Sequence, residues 1–212
     1  TIRAVVGKGW GQGPQHAKSL HAIFAHIPGL QVVMPSTPFE AKGLLLSSIF
    51  SNDPTIFIEG RSLFSMEEEV PNEPYFIELG KAKICKKGND ITLVSFGSAM
   101  PIAFEAAKFL STINISVEVI DLRSIKPIDK KTILDSVSKT TNLIVFEPGW
   151  KSFSISSEII AFVSERIGSN LSNNPKRVCW PDSHVPMSSP LENSFYPSKS
   201  HLINEIKMIL KK

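Results

Sequence analysis

Apolar and polar positions along the chain change period several times, and each change marks an element. "TIRAVVGKG", Thr1 to Gly9, is an apolar, β-prone run that reads as a strand entered near its middle, so the first domain is expected to be incomplete. A glycine-rich segment follows. Ser19 to Ala25 then carries apolar residues at helical spacing until Pro28 and Gly29 stop it. "LQVVMP" predicts a short buried strand. "STPFEAKGLLLSSIF" predicts a helix, opened by a Ser/Thr cap with proline near its first turn and ended at "SNDP". "TIFIEG" is the next strand. Strand, helix, strand, helix, strand in succession implies a parallel sheet with crossover helices.

The periodicity then lapses. "SMEEEVPNEPYF", Ser65 to Phe76, is acidic, contains two prolines and reads as a linker between domains. Beyond it "ELGKAKICKKGND" predicts an antiparallel excursion and "ITLVSFG" a continuous buried strand. A helix follows from about Met100 to Leu110, then "ISVEVIDLRSI" as one strand and "KPIDKKTILDSVSK" as a helix. "NLIVFEPG" is a strand, Phe153 to Ile167 a helix, "KRVCWPD" a last short strand and "KSHLINEIKMILKK" an amphipathic closing helix. The expected fold class is therefore α/β in two domains, 1–76 and 77–212, with the second complete and its sheet mostly parallel. No short-period repeat and no low-complexity tract interrupts it.

Composition narrows the function classes. With 212 residues and 42% hydrophobic content the chain can bury a sizeable core. A net charge of +3 is small, and the densest basic patch, Lys81, Lys83, Lys86 and Lys87, is broken by apolar residues, which argues against nucleic acid as a partner. Cys85 and Cys179 stand far apart without a CxxC partner, so neither a disulfide framework nor a structural zinc site is expected, and a reducing cytoplasmic setting is. No apolar run approaches the roughly 18 to 20 residues of a membrane span, and no signal-peptide pattern is read at the start.

The chemistry worth testing lies in "GWGQGPQHAKSLHAIFAHIPGL", Gly9 to Leu30. Gly7, Gly9, Gly11 and Gly13 fall at gaps of two, so the G-x-G-x-x-G dinucleotide fingerprint fails in every register, and Lys8 is followed by Gly9 where a P-loop needs Ser or Thr. The alternation predicts a loop with easy access to positive φ, free to move over a ligand, or else a plain connection. His16, His21 and His26 are five apart, a step of about 140° on a helix, so they do not share a face as metal ligands would. His21 is expected on the helix surface and His26 at the helix end. His16 is expected at the mouth of the loop just before the helix begins, where an imidazole can meet a ligand. Among the acids, Glu67, Glu68 and Glu69 read as a solvated face, and Glu147 and Glu158 as isolated at element ends. Trp10, Trp150 and Trp180 read as packing anchors.

The stretch "GQGPQHAKSLHAIFAHIPGLQVVMPSTPFEAKGLLLSSIFSNDPTIFIE" closely resembles the β subunit of the E1 component of 2-oxo acid dehydrogenases, the pyruvate dehydrogenase type of the transketolase superfamily. The likeness continues through "LGKAKICKKGNDITLVSFG", "ISVEVIDLRSIKPID", "VFEPGW" and "RVCWPDSHVPMSSPLENSFYP", and so covers essentially the whole chain. It implies the later part of a pyrimidine-binding domain followed by a transketolase C-terminal domain. It also implies an α2β2 heterotetramer with an E1 α subunit and a second β subunit, and a lipoyl-bearing acyltransferase, E2, as further partner. Thiamine diphosphate with magnesium is implied as cofactor, bound between subunits, with the diphosphate and magnesium held by the α subunit. The implied reaction is oxidative decarboxylation of a 2-oxo acid with acyl transfer to lipoamide. The family's active-site histidine falls on His16, where an imidazole can donate to a carboxylate or a lipoyl sulfur and shuttle protons.

The resemblance also implies a potassium ion at the helix end "SSIFSNDP", on Ser48, Ile49, Ser51 and Asp53, where unpaired carbonyls are available. Ser51 stands where the family usually has an acid. Ser154 and Ser156 stand where it commonly has glycines, which puts the turn after "EPGW" in question. Two rivals remain beside the enzymatic reading. One is a non-catalytic assembly module for subunit pairing and acyltransferase docking, and the other a transketolase-type enzyme acting on sugar phosphates.

Overall fold

The computed structural model describes residues 1–9 and 11–211. Trp10 lies outside them. In chain order the elements are β1 (Ile2–Val6), α1 (Gly13–His16), α2 (His21–His26), β2 (Gln31–Val33), α3 (Pro38–Phe50) and β3 (Thr55–Gly60). After an extended stretch come β4 (Lys83–Lys86), β5 (Ile91–Ser95), α4 (Met100–Thr112), β6 (Val117–Asp121), β7 (Ser124–Lys126) and α5 (Lys130–Thr140). The chain closes with β8 (Leu143–Trp150), α6 (Ile155–Ile167), β9 (Lys176–Trp180), α7 (Ser189–Phe195) and α8 (Lys199–Leu210). Among the described residues no helix is long and apolar enough to cross a membrane.

Two sheets result, ordered β1-β3-β2-β7 and β4-β6-β5-β8-β9. The first three strands pair parallel through β3, as the alternation of strand and helix requires, and β4 is the expected antiparallel excursion, against β6. Local chemistry sets the helix starts. Thr37 accepts the Glu40 amide at 3.2 Å ahead of Pro38, Asp129 accepts that of Thr132 at 3.1 Å, and Ser154 that of Ser157 at 3.2 Å. Ser154 and Ser156 cause no strain at the turn after Glu147. Ser154 is an extended N-cap, and the left-handed residue of that turn is Phe153, at φ 53°.

The strand expected over Ile115 to Ile125 is two strands in different sheets. β6 ends at Asp121, Arg123 takes a left-handed φ of 58°, and β7 then pairs antiparallel with β2 of the first sheet. The crossing is closed by backbone bonds from Leu122 N to Ser95 O at 3.0 Å and from Met34 N to Arg123 O at 2.8 Å. As a result one apolar core is common to both sheets. Val32, Met34, Ile56 and Ile58 pack with Val94, Phe96, Ile120, Leu122 and Val145, sealed by α5 and α6. On the far side of the second sheet α4 and α8 cover Leu93, Val119 and Ile144. Under α3, Val33, Leu44 and Phe57 form a further cluster, and burying the Phe57 ring alone contributes about 1.5–3 kcal/mol.

The segment 65–76 has no regular structure, yet it lies along α3 as a strap. Tyr75 stacks on Phe39 with ring centroids 4.6 Å apart and donates its hydroxyl to Phe39 O at 2.7 Å. Lys42 donates to Asn72 O at 3.0 Å, and Glu68 accepts the Phe39 amide at the start of α3 at 3.0 Å. Ile77 and Tyr75 come so close to Gly43 that a Cβ there would lie 2.7 Å from each.

Candidate active site

The glycine loop leaves the carboxyl end of β1, the end at which ligands bind in parallel α/β sheets. Gly7, Gly11 and Gly13 take φ values of 83°, 73° and 57°, which confirms that the loop exploits left-handed backbone. Its docking is specific. Gly7 N donates to Lys18 O at 3.2 Å, Lys8 Nζ to Asn193 Oδ1 at 2.8 Å, and a Cβ on Gly13 would lie 2.3 Å from Met187 Cγ. His16 was expected ahead of the helix. It is instead the last residue of α1, a single turn that the proline at position 14 starts, and it is exposed. Ala17 beside it is fully buried against Trp180, Val185 and Phe195. Trp150 and Trp180 meet edge to face at 5.9 Å, so these two are the packing anchors their context predicted.

His21 is not on the surface, and Glu147 is not isolated. Both are 1% exposed, and His21 Nε2 lies 2.7 Å from Glu147 Oε1. The other ring nitrogen, Nδ1, is 2.9 Å from Ser19 Oγ, and the ring meets Phe96 edge on at 5.3 Å. Glu147 also accepts the first amides of α6, from Ile155 at 3.2 Å and Ser156 at 2.7 Å. Burial pushes the Glu147 carboxyl up, but the His21 ring and the Ser156 amide outweigh it and hold it below the usual carboxylate range. With Glu147 ionised, His21 Nε2 carries the proton, and in a neutral ring Nδ1 accepts from the Ser19 hydroxyl. Gly149 makes room for the ring, since a Cβ there would lie 2.6 Å from His21 Cε1. A signal for Glu147 was present in the sequence. A carboxylate inside the apolar run "NLIVFEPG" needs a buried partner. Nothing local names that partner, which lies 126 residues away.

His26 is exposed at the end of α2, as expected, and Glu158 pairs with Lys130 at 3.8 Å. Glu67, Glu68 and Glu69 are exposed on the strap. Ser48, Ile49, Ser51 and Asp53 do gather at the end of α3. Ser48 O accepts from Thr1 Oγ1 at 2.7 Å, Ser51 Oγ donates to Gln31 Oε1 at 3.2 Å, and the Asp53 carboxylate accepts from Gln31 Nε2 at 3.3 Å. Cys85 and Cys179 are both free, and burial pushes each thiol up to about 11. Beside α2 runs an open groove of about 980 Å3, lined by Ala22, Ile23, Ile125, Ile128 and Ile155, with Phe153 at its rim 97% exposed.

Comparison with known proteins agrees with this layout. Residues 1–66 match the model of the transketolase pyrimidine binding domain, and residues 80–202 that of the transketolase C-terminal domain. Acetoin:2,6-dichlorophenolindophenol oxidoreductase subunit beta of Cupriavidus necator is 39% identical over 210 residues, which are 99% of this chain and 62% of that one. The protein of the same description from Bacillus subtilis is 40% identical, over 96% of this chain and 60% of its own length. Pyruvate dehydrogenase E1 component subunit beta of Staphylococcus aureus is 41% identical, over 99% of this chain and 65% of its own length. The chain thus spans 60–65% of the length of these relatives. A solved split-gene transketolase, an inactive β4 tetramer, superposes with a TM-score of 0.78 at 22% identity, over 99% of this chain and 67% of that one, a likeness of fold.

Proposed function

The chain belongs to the transketolase family, and from that premise we propose that it is part of a β subunit of a thiamine-diphosphate-dependent E1 component. In this reading residues 1–76 are the later part of the pyrimidine-binding domain and 77–212 the C-terminal domain. The assembled protein carries out oxidative decarboxylation of a 2-oxo acid and acyl transfer to lipoamide, in the cytoplasm. The observation that carries the proposal is identity of 39–41% over nearly the whole chain to subunits named for pyruvate and acetoin oxidation. Its partners are an E1 α subunit, a second β subunit and a lipoyl-bearing E2.

The residues present fit such a cofactor in one respect, an exposed imidazole on a docked glycine loop beyond the carboxyl end of β1. Bound between subunits, thiamine diphosphate supplies the electron sink that lets a 2-oxo acid lose carbon dioxide, and its magnesium and diphosphate belong to the α subunit. His16 provides a donor for the substrate carboxylate and moves a proton at an imidazole nitrogen. The loop walls the substrate channel. Potassium at Ser48, Ile49, Ser51 and Asp53 would use carbonyls of the α3 end together with the Asp53 carboxylate, whose contact with Gln31 it would have to share or replace. A rise in melting temperature with potassium over sodium would support that ion.

The decisive experiment is His16→Ala in the complex assembled from full β and α subunits, assayed with a panel of 2-oxo acids and sugar phosphates. A loss of turnover of about 100-fold or more, in line with removal of an acid–base group, is expected, and unchanged turnover would end the catalytic reading. The exposed Phe153 and the apolar groove favour a second role for this polypeptide on its own, as an assembly module inactive without its partner. Titration calorimetry of the 212-residue chain with thiamine diphosphate and magnesium should then show no binding until an α subunit is added.

A further inference from the structure

The function proposed above gives His16 a task and gives His21 none, although His21 is the most elaborately held side chain of the same segment. Ser19, three residues past His16, and His21 form one end of a buried chain of contacts. It runs from Ser19 Oγ to His21 Nδ1 at 2.9 Å and from His21 Nε2 to Glu147 Oε1 at 2.7 Å, and it ends on the amides of Ile155 and Ser156. Glu147 belongs to β8 of the second sheet, whereas His16 follows β1 of the first. On its other side His16 is followed by Ala17, which is buried among Trp180, Val185 and Phe195, groups that also follow from the second sheet. The imidazole assigned to the first domain is therefore seated from the second, at two points that bracket Lys18.

The order serine, histidine, carboxylate resembles that of a nucleophile relay. Ser19, however, is only 4% exposed, and the α6 amides that could hold an oxyanion are taken by Glu147. Holding explains the arrangement better. A carboxylate fixed by a helix N-terminus cannot swing, a ring bonded at both nitrogens cannot rotate, and the serine it grips anchors the chain three residues after His16. Gly149 and Phe96 close the space around that ring.

We propose that His21 is a positioning residue for His16, and that Glu147 sets the His16 segment through it from the second sheet. This rests on the reading of His16 given above. Misplacing a reacting group by about 1 Å costs on the order of 100-fold in rate, whereas substrate contacts made elsewhere are spared. The signature is thus a fall in kcat with KM little changed.

The test uses the assembled complex of full subunits, with His21→Leu, His21→Gln and Glu147→Gln compared for kcat, KM and the 13Cε1 resonance of His16 in histidine-labelled protein. His16→Ala assigns that resonance. We expect His21→Leu to lower kcat about 10- to 100-fold with KM within about threefold, and to move or broaden the His16 resonance. His21→Gln, whose amide can donate to Glu147 and accept from Ser19, should recover most of the loss. A His21→Leu protein that folds and assembles with wild-type kcat and an unmoved His16 resonance would overturn the proposal. If His21→Leu fails to assemble, Glu147→Gln decides in the same way, because it keeps the shape of the site, removes the charge that orients the ring and sets an amide NH2 against one of the N–H groups that Glu147 accepts. Should His16→Ala itself retain full turnover, the function assigned to His16 fails, while the resonance still reports whether His21 positions it.

Discussion

Ser36 shows how much a single hydroxyl can disclose. Its Oγ lies within hydrogen-bond reach of two buried carboxyl groups, Asp121 and Glu40, the latter at 2.7 Å. A serine has one proton to give, so two carboxylates around it leave one interaction without a hydrogen unless a carboxyl keeps its own. Burial, and then the charge of Glu40, push Asp121 well above the usual carboxylate range, which identifies it as the group that stays protonated. The unfolded carboxyl titrates near its ordinary value of about 3.9. The contribution of Asp121 to stability is therefore complete below that pH and is lost as pH rises toward its native titration, with a slope approaching about 1.4 kcal/mol per unit. Asp121→Asn imitates the protonated form and does not titrate. Urea midpoints measured from pH 4.5 to 8 should fall with pH more steeply for the wild type than for this variant, and parallel curves would contradict the assignment. Histidine patterns misled at this scale for a physical reason. Spacing on a helix says which way a side chain points along that helix, and what waits there is decided by chain far away, here Glu147.

Elements were legible wherever hydrophobic period and end signals coincided. Thr37 with Pro38, and Pro28 with Gly29, mark helix limits that the structure keeps within a residue or two, whereas α5 starts at Lys130 behind its Asp129 cap, four residues after the Lys126 start that its apolar pattern predicts. What escaped was governed by tertiary contact. α7 lies in "SPLENSF", too short to establish a period, and β7 was hidden because "VIDLRSI" reads as one strand until Arg123 turns left-handed. The acids and prolines of 65–76 predict a linker, and the segment does lack regular structure, but it is tied to α3 by Tyr75, Lys42 and Glu68. Tyr75→Ala removes a stacked ring and a hydrogen bond at once. Loosening worth about 1.4 kcal/mol would raise the rate of proteolytic nicking within the strap about tenfold. Cleavage at the wild-type rate would mean that the strap is held by its other contacts.

At the scale of the whole molecule the two sheets share a core, so they should melt together. Ile125 on β7 is buried at the seam between them. Ile125→Ala should cost about 2–5 kcal/mol, and tryptophan fluorescence and far-ultraviolet circular dichroism should still report one coincident transition. Two separated transitions would show that the seam is weaker than the halves it joins. Family resemblance in the sequence foretold the fold class and the pair of family models that match. It gave no hint that a strand from one half would complete the sheet of the other. That follows from the backbone bonds at Met34 and Leu122, which no residue pattern encodes.

The borrowed strand also imposes an order in time. β2 lacks its outer neighbour until β7 has been synthesised, and at about 5–20 residues per second that wait is on the order of ten seconds. Throughout it the nascent first sheet presents a bare strand edge, a site for wrong pairing with other chains. That edge of β2 closes only once Ser124–Lys126 has emerged to pair with it, so the first sheet is completed by chain made long after its own strands.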